Sequence, residues 1–236
     1  MQRRTSKRVL MTNPVTTKTK VWDGAVRSYH GLQLLCVVLL WWSAERELFG
    51  LHQATAYLLG ALLIARFVWG LVGSETARFA DFVYKPWRIL PTLKHTPQPA
   101  GHNALSGYMI LALWLLLLLQ IGSGLMSSDD LSFEGPLFSL APDWLQSLAG
   151  RWHDLGFNLL LGLTALHVLA ALLHEAKGQG VIASMVTGRK KLAAPRSLYF
   201  VASWRYWALV LVCLGLVYGW QGDAVWLALV SDLQSL

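Results

Sequence analysis

Residues 151–175, RWHDLGFNLLLGLTALHVLAALLHE, set histidines at 153, 167 and 174 into what otherwise reads as one apolar helix. The run from 152 to 173 is long enough to cross a bilayer, because a hydrocarbon core of roughly 30 Å takes about 20 apolar residues in a helix. An ionisable side chain inside such a span costs free energy unless it is partnered, and it usually marks function. Fold and function both turn on what accompanies these imidazoles.

Four more apolar runs lie outward from this one, at 26–44, 51–72, 104–126 and 203–220. Composition agrees with them. Of 236 residues 55% are hydrophobic and 14% charged, with twelve Trp and a mean hydropathy of +0.44, too apolar for an ordinary soluble domain. Backbone groups in lipid are satisfied only in helices or closed barrels, and these uninterrupted runs lack the two-residue alternation of barrel strands. The expected fold class is all-α, an integral membrane helical bundle. Glu45-Arg46-Glu47 forms a polar hinge between the first two runs. A sixth run, 224–230, is too short to span and is expected at the surface.

Charge orients the bundle. Arg3, Arg4, Lys7, Arg8, Lys18, Lys20 and Arg27 precede or open the first run. Arg78, Lys85, Arg88 and Lys94 follow the second, and Lys177, Arg189, Lys190, Lys191 and Arg196 follow the fourth. The opposite loops carry Arg46 and Arg151, while Asp129, Asp130, Glu134, Asp143, Asp223 and Asp232 gather there. Lys and Arg near helix ends favour the cytoplasmic side, so the N-terminus is expected inside and the C-terminus outside. The net charge of +7 then follows from topology and attraction to anionic lipid and calls for no nucleic acid. Residues 1–20 lack the apolar core of a cleaved signal and read as a basic, disordered cytoplasmic tail. Cys36 and Cys213 fall inside spans with no C-x-x-C-H for covalent haem, and read as small apolar fillers.

His153 and His167 are 14 residues apart, nearly four full turns and about 21 Å of rise, so they share one face at two depths. With the direction assigned, His153 lies near the outer surface and His167 towards the inner one. His30 sits at the inner end of the first helix and His52 at the outer start of the second. Depth therefore sorts four histidines into two pairs, His30 with His167 and His52 with His153. Imidazole is a common haem-iron ligand, and bundle cofactor sites are built from facing helices. Two such clamps along the membrane normal would form an electron wire.

Other readings stand beside this one. A single His near a helix end is more often an interfacial hydrogen-bonding residue than a ligand. Zinc or non-haem iron fits less well, since no Cys, Asp or Glu cluster joins either pair. His174, beside Glu175, reads as interfacial, with replacement of His167 as ligand the alternative. His95 and His102 belong to a polar inner loop, where His102 either meets a propionate or quinone or serves the loop itself. Arg66 lies 14 residues after His52, at the inner level; it either pairs with a haem propionate or snorkels to headgroups. Arg205 reads as a snorkelling anchor, and the Trp residues suit interfacial belts or haem-pocket packing.

Several stretches resemble a known family. They are Val21-Trp22-Asp23 with Arg27 and His30 (VWDGAVRSYH), Leu51-His52, residues 65–74 (ARFVWGLVGS) with Ala77-Arg78-Phe79, Gly101-His102-Asn103, and residues 185–190 (MVTGRK). As a set they resemble the bacterial cytochrome b561 superfamily, and within it the b-type cytochrome subunit associated with nickel-iron hydrogenases. Gly31 stands where that family often has Trp and Ala104 where it often has Pro. The resemblance covers about 21–191 and implies a four-helix di-haem core, with two non-covalent haems b held by His30, His52, His153 and His167. The remainder, 192–236, adds a fifth transmembrane helix and a short outer segment.

The expectation is a di-haem b-type cytochrome of the bacterial inner membrane, passing single electrons between the quinone pool and a redox partner, a hydrogenase or a periplasmic c-type cytochrome. Arg27, near His30, is expected to act electrostatically on the reduced or propionate-bearing side. The pattern fits a quinol-linked oxidoreductase subunit and a plain conduit alike. Two readings from other classes are a non-redox membrane anchor and a divalent-metal transporter, though the latter calls for acidic residues inside spans that are almost free of them.

Overall fold

The computed structural model describes residues 17–85, 87, 100–129, 133–192 and 197–235. Strand β1 (Thr17–Lys20) leads into helix α1 (Gly24–Glu45), which turns sharply into α2 (Phe49–Val72). A 3-10 turn (Glu75–Ala77) and the short α3 (Phe79–Phe82) precede α4 (Ala104–Gly124). After a second 3-10 turn (Phe138–Leu140) come α5 (Asp143–Ala176), α6 (Val181–Thr187), strand β2 (Arg189–Leu192) and α7 (Trp204–Ser235). We call the end where α1 begins the near end and the opposite end the far end.

Local chemistry sets the helix boundaries. Asp23 caps α1, its Oδ1 accepting from Val26 N–H at 2.7 Å, and Asn103 caps α4 through Ser106 N–H at 2.8 Å; each cap satisfies one of the orphan donors of a first turn. The hinge between α1 and α2 is the polar one expected. Leu48 N–H returns to Ser43 O at 2.9 Å, and Glu47 adopts the left-handed conformation, with φ 56°.

Four helices, α2, α4, α5 and α7, are long and apolar enough to cross a membrane. Helix α1 has 22 residues, enough length to span, and carries Arg27, His30 and Gln33 in its first half. Helix α2 is the centre of the bundle, buried along Thr55, Leu59, Leu62, Ala65, Arg66 and Trp69. It packs against α1 and α7, while α4 and α5 pair on its other side. Leu115, Leu118, Leu159, Leu169, Leu211 and Leu216 point outward, as suits helices whose outer faces meet lipid.

Two sequence expectations change. Residues 203–220 and the 224–230 run form one continuous helix, α7, of 32 residues, because Gln221-Gly222-Asp223 contains no proline to interrupt it. Helix α7 runs back along α2. Tyr206, fully buried, donates to Leu62 O at 3.1 Å near one end, and at the other Asp232 Oδ2 accepts from Leu51 N–H at 2.7 Å. Gly50 permits that approach, since a Cβ there would lie 2.4 Å from the Ala228 main chain. The last residues of the expected tail are also ordered. Thr17–Lys20 pair antiparallel with Arg189–Leu192, Thr17 opposite Leu192 and Lys20 opposite Arg189; residues 1–16 lie outside the described set.

Candidate functional site

The far end of the bundle brings two imidazoles face to edge. His52 lies in the first turn of α2, and the tight hinge folds that turn back against the end of α1. His52 Nδ1 consequently meets Leu40 O at 3.0 Å and Ser43 Oγ at 3.3 Å. His153 lies on α5, and its Nδ1 meets Gln120 O at 3.1 Å and Ser123 Oγ at 3.1 Å on α4. The arrangement repeats. In each case the ring reaches a carbonyl in the last two turns of a neighbouring helix. Each serine also donates to the same carbonyl, Ser43 to Leu40 O at 3.1 Å and Ser123 to Gln120 O at 3.0 Å. Gln120 Nε2 returns a bond to His153 O at 2.7 Å. With Nδ1–H donating to a carbonyl, each ring keeps its Nε2 lone pair for a ligand.

The two ring centroids are 6.2 Å apart, with planes at 70°. A metal–imidazole bond is about 2 Å and the ring centre lies about another 1 Å beyond the nitrogen, so two imidazoles clamping one iron stand about 6 Å apart. The rings also border a cavity of about 780 Å³ that includes Leu117, Phe157 and Leu160 as apolar wall and Gln53, Asp129 and Asp154 as polar groups, a size that suits a large planar ligand. Gly124 keeps α4 flat under the ring, since a Cβ there would come within 2.9 Å of His153 Cε1.

At the near end His30 of α1 and His167 of α5 lie within electrostatic reach of one another. Arg66 of α2 is buried, only 3% exposed, which overturns the snorkelling alternative. Its guanidinium faces the Trp114 ring at 5.1 Å and the Tyr29 ring at 6.0 Å. Nη2 donates to Ala77 O at 3.2 Å, and Nη1 is buried with no partner among the described residues. Asp23 supplies the nearest acidic influence, but its oxygens already accept from Val26 N–H and from Trp69 Nε1–H at 3.0 Å.

His102 reaches this region too. Its ring sits between Trp22 at 4.5 Å and Phe82 at 5.2 Å, and its Nδ1 is buried without a partner among the described residues. Burial, then the charges of Arg66, His30, His167 and Lys190, push the imidazole down to about 3, so it is neutral near pH 7. Burial likewise lowers the Lys190 ammonium. His174 is drawn elsewhere, its Nδ1 meeting Gln179 Oε1 at 2.8 Å. Arg27 donates from Nε to Met185 O at 3.2 Å and from Nη2 to Val186 O, tying α1 to the end of α6. Arg205 is exposed beside the Trp204 ring. Cys36 is buried and Cys213 partly so, both as free thiols, and His95 lies outside the described residues.

Neither Ser43 nor Ser123 stands out by residue type. The one available signal was a hydroxyl placed just before the end of an otherwise apolar run, in LLWWSAE and LLQIGSG. Among the described residues no group of three or more His, Cys, Asp or Glu side chains could hold a metal ion. The donor set is thus pairs of imidazoles, which suits an iron already held in a macrocycle.

A family model described as prokaryotic cytochrome b561 matches residues 21–188. Neither the curated proteins nor the solved structures yield a match.

Proposed function

The chain belongs to the prokaryotic cytochrome b561 family and is therefore a membrane haem b electron-transfer protein, and on that premise we propose that it holds two haems, one at each end of the bundle, and conducts single electrons between a membrane quinone and a redox partner protein. The observation that supports this best is the 6.2 Å separation of the His52 and His153 rings. His52 and His153 hold the far group through Nε2, and His30 and His167 hold the near one. Each haem supplies an iron that gains and loses one electron.

The remaining work belongs to the chain. The carbonyls of Leu40 and Gln120 fix the tautomer and tilt of the far imidazoles, which keeps their donor atoms aimed without further reorganisation. Arg66 offers its unpaired Nη1 to a propionate at the near end, a charge-assisted contact that also resolves the cost of a buried lone cation. Leu117, Leu160 and Val37 exclude water from the far cavity. The Lys and Arg residues gathered at the near end support a cytoplasmic near end, with the far end turned towards a hydrogenase or a c-type cytochrome on the outer side.

The test is haem content of detergent-purified full-length protein, with a reduced-minus-oxidised spectrum. Two haems b per chain are expected. One haem would reject the double clamp, and none would reject haem binding by this chain.

A further inference from the structure

We infer that the outer face of the β1–β2 pair is a binding site for anionic phospholipid headgroups, and that lipid phosphate holds this two-stranded ribbon closed over the near end. The register of the pair carries it, whatever the number of haems the chain holds.

Side chains alternate between faces along a strand. The register sets Lys18 opposite Lys191 and Lys20 opposite Arg189, so all four cations stand on one face, and all four are exposed. Thr19, Lys190 and Leu192 share the other face, where Lys190 is half-buried and Leu192 buried. Directly opposite Cβ atoms are about 5 Å apart and successive ones on a face about 7 Å, inside the ~8 Å over which physiological salt screens. Like charges so placed push strands apart, and a ribbon of two strands is only marginally stable alone. Among the described residues no carboxylate pairs with any of the four cations; Lys20 Nζ lies instead 4.4 Å from the centroid of the Phe200 ring. The face calls for anions, and the described residues supply none.

Position selects the source of those anions. Phe200, beside Lys20, lies four residues before α7, a helix long and apolar enough to cross a membrane. Tyr199 and Trp204 lie on either side of it in the chain and are 59% and 66% exposed. Such aromatic side chains settle at headgroup level, where anionic lipids draw basic segments to their phosphates. The Lys ammoniums meet a phosphate as point charges and Arg189 as a two-pronged donor.

The inner face turns towards the near site. Lys190 acts electrostatically on His102, which also senses Arg66, His30 and His167. Arg27 of α1 holds the carbonyls of Met185 and Val186, shortly before β2 begins. Lipid that neutralises the outer cations therefore keeps β1 paired and this region covered. Without it, repulsion across the register releases β1.

Hydrogen exchange of the full-length protein in nanodiscs tests this, with phosphatidylcholine alone compared against phosphatidylcholine containing phosphatidylglycerol. Strand amides within 17–20 and 189–192 are expected to exchange about tenfold more slowly with phosphatidylglycerol, while those of α4 stay unchanged. Equal exchange in both lipids, or a gain shared by α4, overturns the inference. So does the same gain in phosphatidylcholine with inorganic phosphate added, which would make the anion a soluble one. Lys18→Glu combined with Lys20→Glu sets opposite charges across the register, so its strands should be protected in phosphatidylcholine alone and gain nothing from phosphatidylglycerol. A gain as large as that of the wild type overturns the inference. If that variant does not assemble, Lys18→Gln combined with Lys191→Gln decides: the gain should shrink severalfold, and an undiminished gain overturns the inference. None of these readings depends on haem content, so they stand or fall apart from the two-haem reading.

Discussion

His102 shows how a single side chain can be misjudged from sequence. In the sequence it belongs to a polar loop, yet the fold closes Trp22 and Phe82 over its ring, because residues distant in the chain meet at the near end. Its pKa carries a stability consequence. The unfolded chain takes up a proton at this imidazole at its usual value of 6.5, whereas the folded chain resists until about 3. Between those values the unfolded state binds more protons, so stability falls as pH falls through that window. Thermal unfolding of the wild type should show a steeper loss between pH 6.5 and 4 than His102→Gln, and identical slopes would contradict the burial of a neutral ring. The approach of His52 to His153 was legible from depth and spacing alone, since a span converts residue number into height. The orientation of Arg66 was not. Whether an arginine reaches for headgroups or turns inward depends on which helix is central, and nothing in ALLIARFVWG says that α2 is enclosed on two sides. The tethers from His52 and His153 to carbonyls were illegible for a related reason, because main-chain acceptors leave no trace in side-chain identity.

Among the elements, α7 departs furthest from expectation. Its first part was legible as a span and its second part was not, since a short apolar run after Gln221-Gly222-Asp223 carries no sign of the helix it will lie against. The family-matched residues end at 188, so α7 is an addition, yet it touches the machinery. Asp232 supplies the start of α2 with a hydrogen-bond acceptor one residue before His52. Such caps contribute about 1 kcal/mol, and with a haem held between His52 and His153 as proposed, Asp232→Ala should make that haem easier to lose on mild heating, read as a drop in haem per chain. Gly50→Leu is the harsher change, because the Cβ alone would overlap main-chain atoms of Ala228 and Leu229. Forcing a packed contact apart costs about 1–3 kcal/mol, and the variant should unfold at a measurably lower temperature in a detergent melt. Unchanged melting would mean that α7 does not press on α2.

For the whole molecule, charge is divided by end. Lys18, Lys20, Arg189 and Lys191 surround the β1–β2 pair at the near end, while Asp129, Asp143 and Asp232 lie at the far end, and this division argues for a near end in the cytoplasm. A cysteine introduced as Lys191→Cys should react with a membrane-impermeant maleimide only after cells are opened, whereas Asp143→Cys should react in intact spheroplasts; the opposite result would invert the bundle. The overall class was legible because hydropathy and loop charge act independently of tertiary detail, but the strand pair was not, since it joins two segments with no apolar alternation between them. That strand pair also bears on biosynthesis. Thr17 pairs with Leu192, so this strand has no mate until 175 more residues have been synthesised. At about 5–20 residues per second its wait is on the order of ten seconds or more, during which the first helices are already being threaded into lipid. The clasp is therefore a late event, one that fastens the near edge only after α5 has been inserted.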